Sequence, residues 1–291
     1  MQENPTLAVI GGSGLYEIPD LEDAEEHQIN TPFGTPSSPV IVGSLEGTRI
    51  AFLARHGNGH YINPSEVNYR ANIYALKSLG VERVLSISAC GSLRDDYMPG
   101  EIVIPDQLFD FTKHRKRSFF EGGLVAHINV AHPFCADFNQ SINQALQGSG
   151  ATTHNGGVFI TIEGPRFSTR AESNIFRSWG ISIIGMTTSP EAFLAREAEM
   201  CYGVMAHVTD FDVWHISEEP VTVEMVIEVL IQNTQLAQQV IRNLANQLSS
   251  NRSCSCSNTL SDAIITRADV ISPEIKEKLE LLVGKYIDAG D

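Results

Sequence analysis

The chain has 291 residues, 42% of them hydrophobic, and its 35 acidic side chains outnumber 20 basic ones for a formal net charge of −15. That balance argues against nucleic acid and anionic membrane surfaces as partners, and a phosphorylated ligand would need a local positive site. The start MQENPTLAVI has no basic n-region and no apolar run approaches the ~20 residues of a membrane span, so a soluble cytoplasmic protein is expected.

Apolar, β-branched runs at 6–10, 39–45, 49–54, 83–89, 101–105, 156–162, 181–186 and 201–208 predict strands. Several are unbroken, as in strands covered on both faces. In NPSE, Asn63, Pro64 and Glu66 have the types of an N-cap, a first helical residue and a capping-box partner, predicting a helix that runs to Gly80. TRAE, 169–172, is a second capping box with a helix ending at Gly180, and Ser189 with Pro190 in TSPE opens a third. Residues 222–249 form a long amphipathic helix with Val226, Val229, Leu230, Ala237, Val240, Ile241, Leu244 and Leu248 on one face. Residues 250–262 read as an exposed connector, and Ser272 and Pro273 open a last helix carrying Ile275, Leu279, Leu282, Val283 and Tyr286. Alternating strands and helices imply one α/β domain over 1–291, with 250–291 as connector and C-terminal helix. Of the five cysteines, Cys90, Cys135 and Cys201 sit in or beside apolar segments as small core residues. Cys254 and Cys256, in SCSC, read as reduced surface thiols or a strained local disulfide.

The unusual residues fall at strand ends, where ligands gather in such folds. AVIGGSGL is no dinucleotide fingerprint, because Glu17 stands where the third glycine belongs. It is an ordinary glycine turn or one whose amides and Ser13 hydroxyl cradle a small anion. Arg55 and His56 follow a strand in LARHGNGH, either as an oxyanion site or as a surface arginine in a salt bridge. Ser88 in SISACGSL and Thr187 in GMTTSPE mark two further ends, the latter before a helix N-terminus that favours anions. In HVTDFDVWH, Asp210 and Asp212 point to one side if the strand continues, and cap a turn if it does not.

IGGSGL, TPFG, LARHG, NYRANIYALKSLG, ACGSLRDD, PGEIVIPDQ, TIEGPRFSTRAES, GMTTSPEAFLAREA and VTDFDVW, in that order, resemble the methylthioadenosine phosphorylases of the trimeric purine nucleoside phosphorylase family over about residues 7–248. The resemblance implies a single domain with a central mixed, partly barrel-like β-sheet flanked by helices. It implies phosphorolysis of methylthioadenosine, with inorganic phosphate as co-substrate, no cofactor and no metal, His56 and His60 notwithstanding. It implies a phosphate site of Ser13, Arg55, His56, Ser88, Ala89 through its backbone, and Thr187. Met186 would pack on the ribose and Phe167 on the purine, while Asp210 and Asp212, with Phe211 between them, would meet the base. Of the two carboxyls, one would stay protonated as donor to N7 and the other accept from the 6-amino group. Relatives acting on 6-oxopurines carry Glu where this chain has Ser168 and Asn where it has Asp210, which favours adenine. Val223, Val226 and Ile227 are core residues by periodicity and a methylthio pocket by resemblance. His127 would reach a neighbouring subunit's site in a homotrimer, and Gly185 departs from the Asn of animal members. Rival readings are phosphorolysis of adenosine or methylthioinosine, a non-catalytic nucleoside-binding protein and a hydrolytic nucleosidase.

Overall fold

A computed structural model of the chain describes residues 4–12, 18, 20–215, 223–249 and 251–287, with the side chains of 224–233 outside the description. Strand β1 (Leu7–Gly11) is buried along its whole length because it lies between two parallel neighbours. On one side runs β4 (Thr48–Ala54), on the other β5 (Arg83–Ser92). Outward from β4 come β3 (Val40–Leu45) and β2 (Glu22–His27). The β3–β4 hairpin turns through Glu46 and Gly47, both at positive φ, the backbone that a tight two-residue connection needs. β2 is a row of acidic side chains on the sheet edge, which is why its EDAEEH sequence gives no apolar signal.

The sheet forks at β5. Its start pairs with β1, its last two residues pair with β10 (Ile183–Gly185), and β11 (Cys201–Asp210) runs parallel along it from Arg83 to Gly91. β10 continues to β9 (Val158–Ile162) and β7 (Gln107–Phe111), and β11 continues to β6 (Ile102–Ile104) and β8 (Thr153–Asn155). Mixed pairing around one branched strand is the mixed sheet that was expected.

Helices cover both faces. Against one pack α2 (Ala136–Leu146) and α5 (Val223–Gln247), through Phe138, Ile142, Val240, Ile241 and Leu244. Against the other pack α1 (Tyr69–Ser78), α4 (Thr188–Glu197) and α6 (Pro273–Ile287), through Ile73, Leu76, Leu194, Leu279 and Val283. The remaining helix, α3 (Arg170–Ser178), begins with the Thr169–Glu172 capping box that the sequence predicts. The first helix starts later than predicted. Asn63 accepts from the amides of Ser65 (2.9 Å) and Glu66 (3.2 Å) and Glu66 returns the bond, so the motif closes a single turn. Asn68 then caps α1 by accepting from Ala71. In α4, Ser189 is extended (φ −104°, ψ 135°), which places the helical turns from Pro190 onward as expected. Val226, Val229 and Leu230 lie outside the described side chains, and the rest of the predicted α5 face is buried or half-buried. The segment 250–262 is less exposed than its composition suggests: Cys256 and Leu260 are buried, and the Leu260 amide donates to Glu199. Among the described residues no helix is long and apolar enough to cross a membrane.

Candidate active site

Because β1, β4, β5 and β11 are mutually parallel neighbours, their carboxyl ends meet at one end of the sheet. The Arg55 amide donates to Gly11 O (3.0 Å), joining the ends of β4 and β1. Ser88 Oγ lies 3.2 Å from Thr187 Oγ1, joining β5 to the turn before α4. Gly185 brings that turn close: a Cβ there would lie 2.7 Å from the Phe159 ring and 3.4 Å from Ala89 O. A side chain at this position has no room beside Phe159. The hydroxyls of Thr188 and Ser189, both buried, find no hydrogen-bond partner among the described residues.

Arg55 is placed otherwise than the strand-end anion ligand of the sequence reading. It is 2% exposed and turned inward, where Nε and Nη2 each donate to Glu191 at 2.8 Å and Nη2 also reaches Ser86 Oγ at 2.7 Å. Burial opposes its charge, but Glu191 offsets this and its pKa lies above the ordinary value. The pair is the salt bridge of the alternative reading, in the interior rather than on the surface. His56 is buried above it, and its Nδ1–H donates to Ile62 O (2.8 Å), leaving Nε2 as acceptor. Burial, then the Arg55 charge, depress its pKa to about 4, so the ring is neutral at physiological pH. It stacks on His60 at 4.3 Å.

At the other end stand the two carboxyls. β11 bulges between Val208 and Asp210, and the chain then turns with Asp212 at φ 50° into a short 3-10 turn, Asp212–Trp214. The strand does not continue through Asp212; the two carboxyls meet because the chain bends. Asp210 Oδ1 accepts from the Asp212 amide (2.7 Å) and Oδ2 from Thr209 Oγ1 (2.6 Å). Asp212 Oδ2 accepts from Ser173 Oγ (2.5 Å) on α3. Both acids are buried, and desolvation raises both pKa values, that of Asp212 to about 6 with help from the charge on Asp210. Gly91 makes the meeting possible, since a Cβ there would lie 2.9 Å from Asp210 Oδ1 and 3.2 Å from Asp212 Cβ.

The segment 164–168, which the resemblance assigns to the nucleoside, meets Met186 of the turn before α4 at Gly164. Gly164, at φ 65°, leaves room for Met186 Sδ, which a Cβ would approach to 2.7 Å. Ser168 is buried with its hydroxyl unpartnered among the described residues, while Phe167 is 39% exposed. Phe211 is buried and stacked on His215 at 4.7 Å. His127 and Val223 are exposed and stand apart from this group's hydrogen bonds and ring contacts among the described residues. Ser13 lies outside the described residues, as do the side chains of Val226 and Ile227.

Four residues around the site escape the sequence reading. Glu191, Thr209 and Ser173 stand inside quoted motifs but are given no role at the site. Arg115 lies in the basic run KHRKR, to which the sequence reading gives no role; it is buried and donates to Met186 O, Ser189 O and Glu163 O, each at 2.7 Å. One guanidinium thus ties Glu163 to the turn before α4.

Hydroxyls suited to an anion at Ser88 and Thr187, and a buried acid pair beside Gly91 three residues further along β5, share the carboxyl end of the sheet. A family model described as the phosphorylase superfamily matches residues 6–246, and the chain belongs to that superfamily. Among its relatives, the S-methyl-5′-thioadenosine phosphorylase of Geobacter sulfurreducens is 51% identical over 282 residues, covering 97% of this chain and 99% of its own. The solved methylthioadenosine phosphorylase sourced from an Antarctic soil metagenomic library superposes with a TM-score of 0.92 at 43% identity, over 97% of this chain and 99% of that one. The methylthioadenosine phosphorylase of Schistosoma mansoni in complex with adenine gives 0.81 at 34% identity, over 96% and 98%.

Proposed function

We infer that the protein cleaves S-methyl-5′-thioadenosine by phosphorolysis, giving adenine and 5-methylthioribose 1-phosphate. The observation that carries the reading is the distance between the two ends of the site. From Ser88 to Gly91 is three residues of β5, ~10 Å at ~3.3 Å per residue, which suits a sugar with phosphate at one end and a purine at the other.

As the bond from C1′ to the base breaks, the sugar gains positive charge and the base gains electron density. Phosphate held by Ser88, the Ala89 backbone, Thr187 and Ser13 stabilises the sugar cation and forms the new bond to C1′. Neutral His56 accepts from a protonated phosphate oxygen. Arg55 acts as a positioning residue: it clasps Ile10 O, Ile87 O and Ser86, fixing the strand ends that carry the donors. The acid pair serves the base. One proton shared between Asp210 and Asp212 goes to N7, and the ionised partner accepts from the 6-amino group. A 6-oxo purine would set oxygen against that carboxylate, so inosine is rejected far more strongly than size alone would do. Phe167 and Met186 line base and ribose, and Ser168, its hydroxyl unpartnered among the described residues, replaces the glutamate of the 6-oxopurine enzymes. Val223, Val226 and Ile227 supply the methylthio pocket. His127, exposed on its own subunit, completes a neighbour's site in a cytoplasmic homotrimer. Inorganic phosphate is the co-substrate, and no cofactor takes part.

The test is adenine release from methylthioadenosine with and without phosphate, with inosine and adenosine in parallel. Phosphate-dependent release with inosine inert is expected. Equal release without phosphate would mean hydrolysis, and brisk inosine cleavage would overturn the roles given to the acid pair.

A further inference from the structure

Away from the nucleoside site, four cysteines from three separate parts of the chain converge. Cys135 stands at the N-terminus of α2, Cys201 opens β11, and Cys254 and Cys256 come from the segment after α5. Their sulfur atoms all lie within 4.8 Å of one another. Cys135, Cys201 and Cys256 are buried and Cys254 is half-buried, so the surface thiols expected from SCSC are instead part of an interior cluster. The cause is local. Cys254 is extended (ψ 161°) and the chain then tightens into a 3-10 turn, Ser255–Asn258, which swings both sulfurs of the C-x-C pair to the same side.

We propose that Cys135, Cys201, Cys254 and Cys256 form a tetrathiolate site for a soft divalent cation, zinc by preference, which pins the C-terminal segment to β11 and α2. An all-sulfur donor set selects zinc over the harder cations. In a tetrahedral site with bonds of ~2.3 Å the sulfurs stand ~3.8 Å apart. The cluster's upper limit of 4.8 Å and the 3.3 Å between Cys201 and Cys254 sulfurs lie on either side of that value. Small side-chain rotations reach it.

The surroundings match the charge such a centre carries. Four thiols bind a dication by releasing four protons, leaving a net charge of −2 on the centre. Arg196 Nη1 lies 3.0 Å from Cys256 Sγ and donates to it. Arg83 and Arg252, both also paired with Glu82, line an open cleft with Asp137, Cys135, Cys201 and Cys254, which gives the ion an entry path. Those cations gather here although the chain as a whole is strongly acidic. The amides at the start of α2 favour a thiolate at Cys135.

The experiment uses the full chain, purified under reductant without chelator. Zinc content by elemental analysis should be about one equivalent per chain, and cobalt(II) exchanged for it should give the strong visible bands of a tetrahedral thiolate complex. Cys256→Ser and the double variant Cys254→Ser with Cys256→Ser should lose both the zinc and those bands. Chelation should lower the Tm of the wild type and leave that of Cys256→Ser unmoved. Fully titratable thiols with no cobalt uptake would overturn the proposal. So would a metal-free protein whose mass is four hydrogens low, the mark of two disulfides. The wild-type stoichiometry decides the matter even if a variant fails to fold, and none of these readouts depends on nucleoside cleavage.

Discussion

Gly91→Ala tests whether the acid pair works through its geometry. Gly91 is not at positive φ, so alanine adds no backbone strain and its effect is steric. The new methyl would meet Asp210 Oδ1 at 2.9 Å, Ile184 Cγ2 at 3.1 Å and Asp212 Cβ at 3.2 Å. The first contact forces movement, and both carboxyls are held by hydrogen bonds that resist it. Overpacking of this kind costs ~1–3 kcal/mol. A carboxyl displaced by a fraction of an ångström, in a reaction where a 1 Å error costs ~100-fold, should lower kcat/KM for the nucleoside ~10–100-fold. The KM for phosphate should hold, because Ser88 lies three residues back along β5 and Thr187 in the turn before α4. Gly203→Ala is the contrast: its Cβ would meet Ile142 Cδ1 at 2.5 Å in the core, so it should cost comparable stability and leave kcat unchanged. Steady-state kinetics with each substrate varied, beside thermal melts, separates the two. Wild-type kcat/KM in Gly91→Ala, or an equal loss in Gly203→Ala, would refute the reasoning.

Asp212→Asn should lower kcat by ~100-fold or more and abolish the fall in kcat/KM as pH rises through about 6, where the wild-type acid loses its proton. A pH–rate profile at saturating phosphate reads this. His207, fully buried with both ring nitrogens unpartnered among the described residues, has its pKa lowered by burial to about 4. The unfolded chain therefore takes up the proton first, and stability is lost as pH falls from ~6.5 toward 4, by up to ~3 kcal/mol. His207→Leu should flatten that part of the curve in denaturant melts at stepped pH. Glu191→Gln strands the Arg55 cation in the interior and should cost ~3–5 kcal/mol, seen as a lower Tm before any kinetic change is interpreted. Arg115→Lys keeps the charge but cannot hold three carbonyls in one plane, so KM for the nucleoside should rise several-fold while the Tm falls modestly.

What the sequence makes legible follows the range of the interaction concerned. β1, β4, β5 and β11 are readable because burial on both faces demands unbroken apolar runs. The α3 capping box is readable because its partners lie three residues apart. β2 is hidden, since an edge strand needs no apolar residues and here has acidic ones. The NPSE motif misleads for a related reason. A capping box specifies one turn, and whether a helix continues depends on what Asn68 can hold, which includes Phe33 O thirty-five residues away. Cys254 and Cys256 mislead similarly: their neighbours are polar, and the partners that bury them lie on β11 and α2.

The acid pair shows the same limit inside the site. Strand periodicity alone puts Asp210 and Asp212 on one side of an extended chain, while turn chemistry makes them caps. Both ideas hold a part of the observed structure. Asp210 closes β11 and accepts from the Asp212 amide as a turn residue does, and the bend so formed brings the second carboxyl to the first. The turn and the chemistry are therefore one device. Burial raises the pKa of both acids; Asp210 accepts two hydrogen bonds at its own turn, and with Asp212 reaching about 6 beside the charge on Asp210 we propose Asp212 as the place for the proton. That assignment predicts an asymmetry. Asp210→Asn preserves an oxygen acceptor for the turn and should damage recognition of the 6-amino group, raising KM for methylthioadenosine more than it lowers kcat. Asp212→Asn removes the acid and should act on kcat. Kinetics of the two variants side by side decide it, and equal effects on kcat with unchanged KM would show that the proton has no preferred residence.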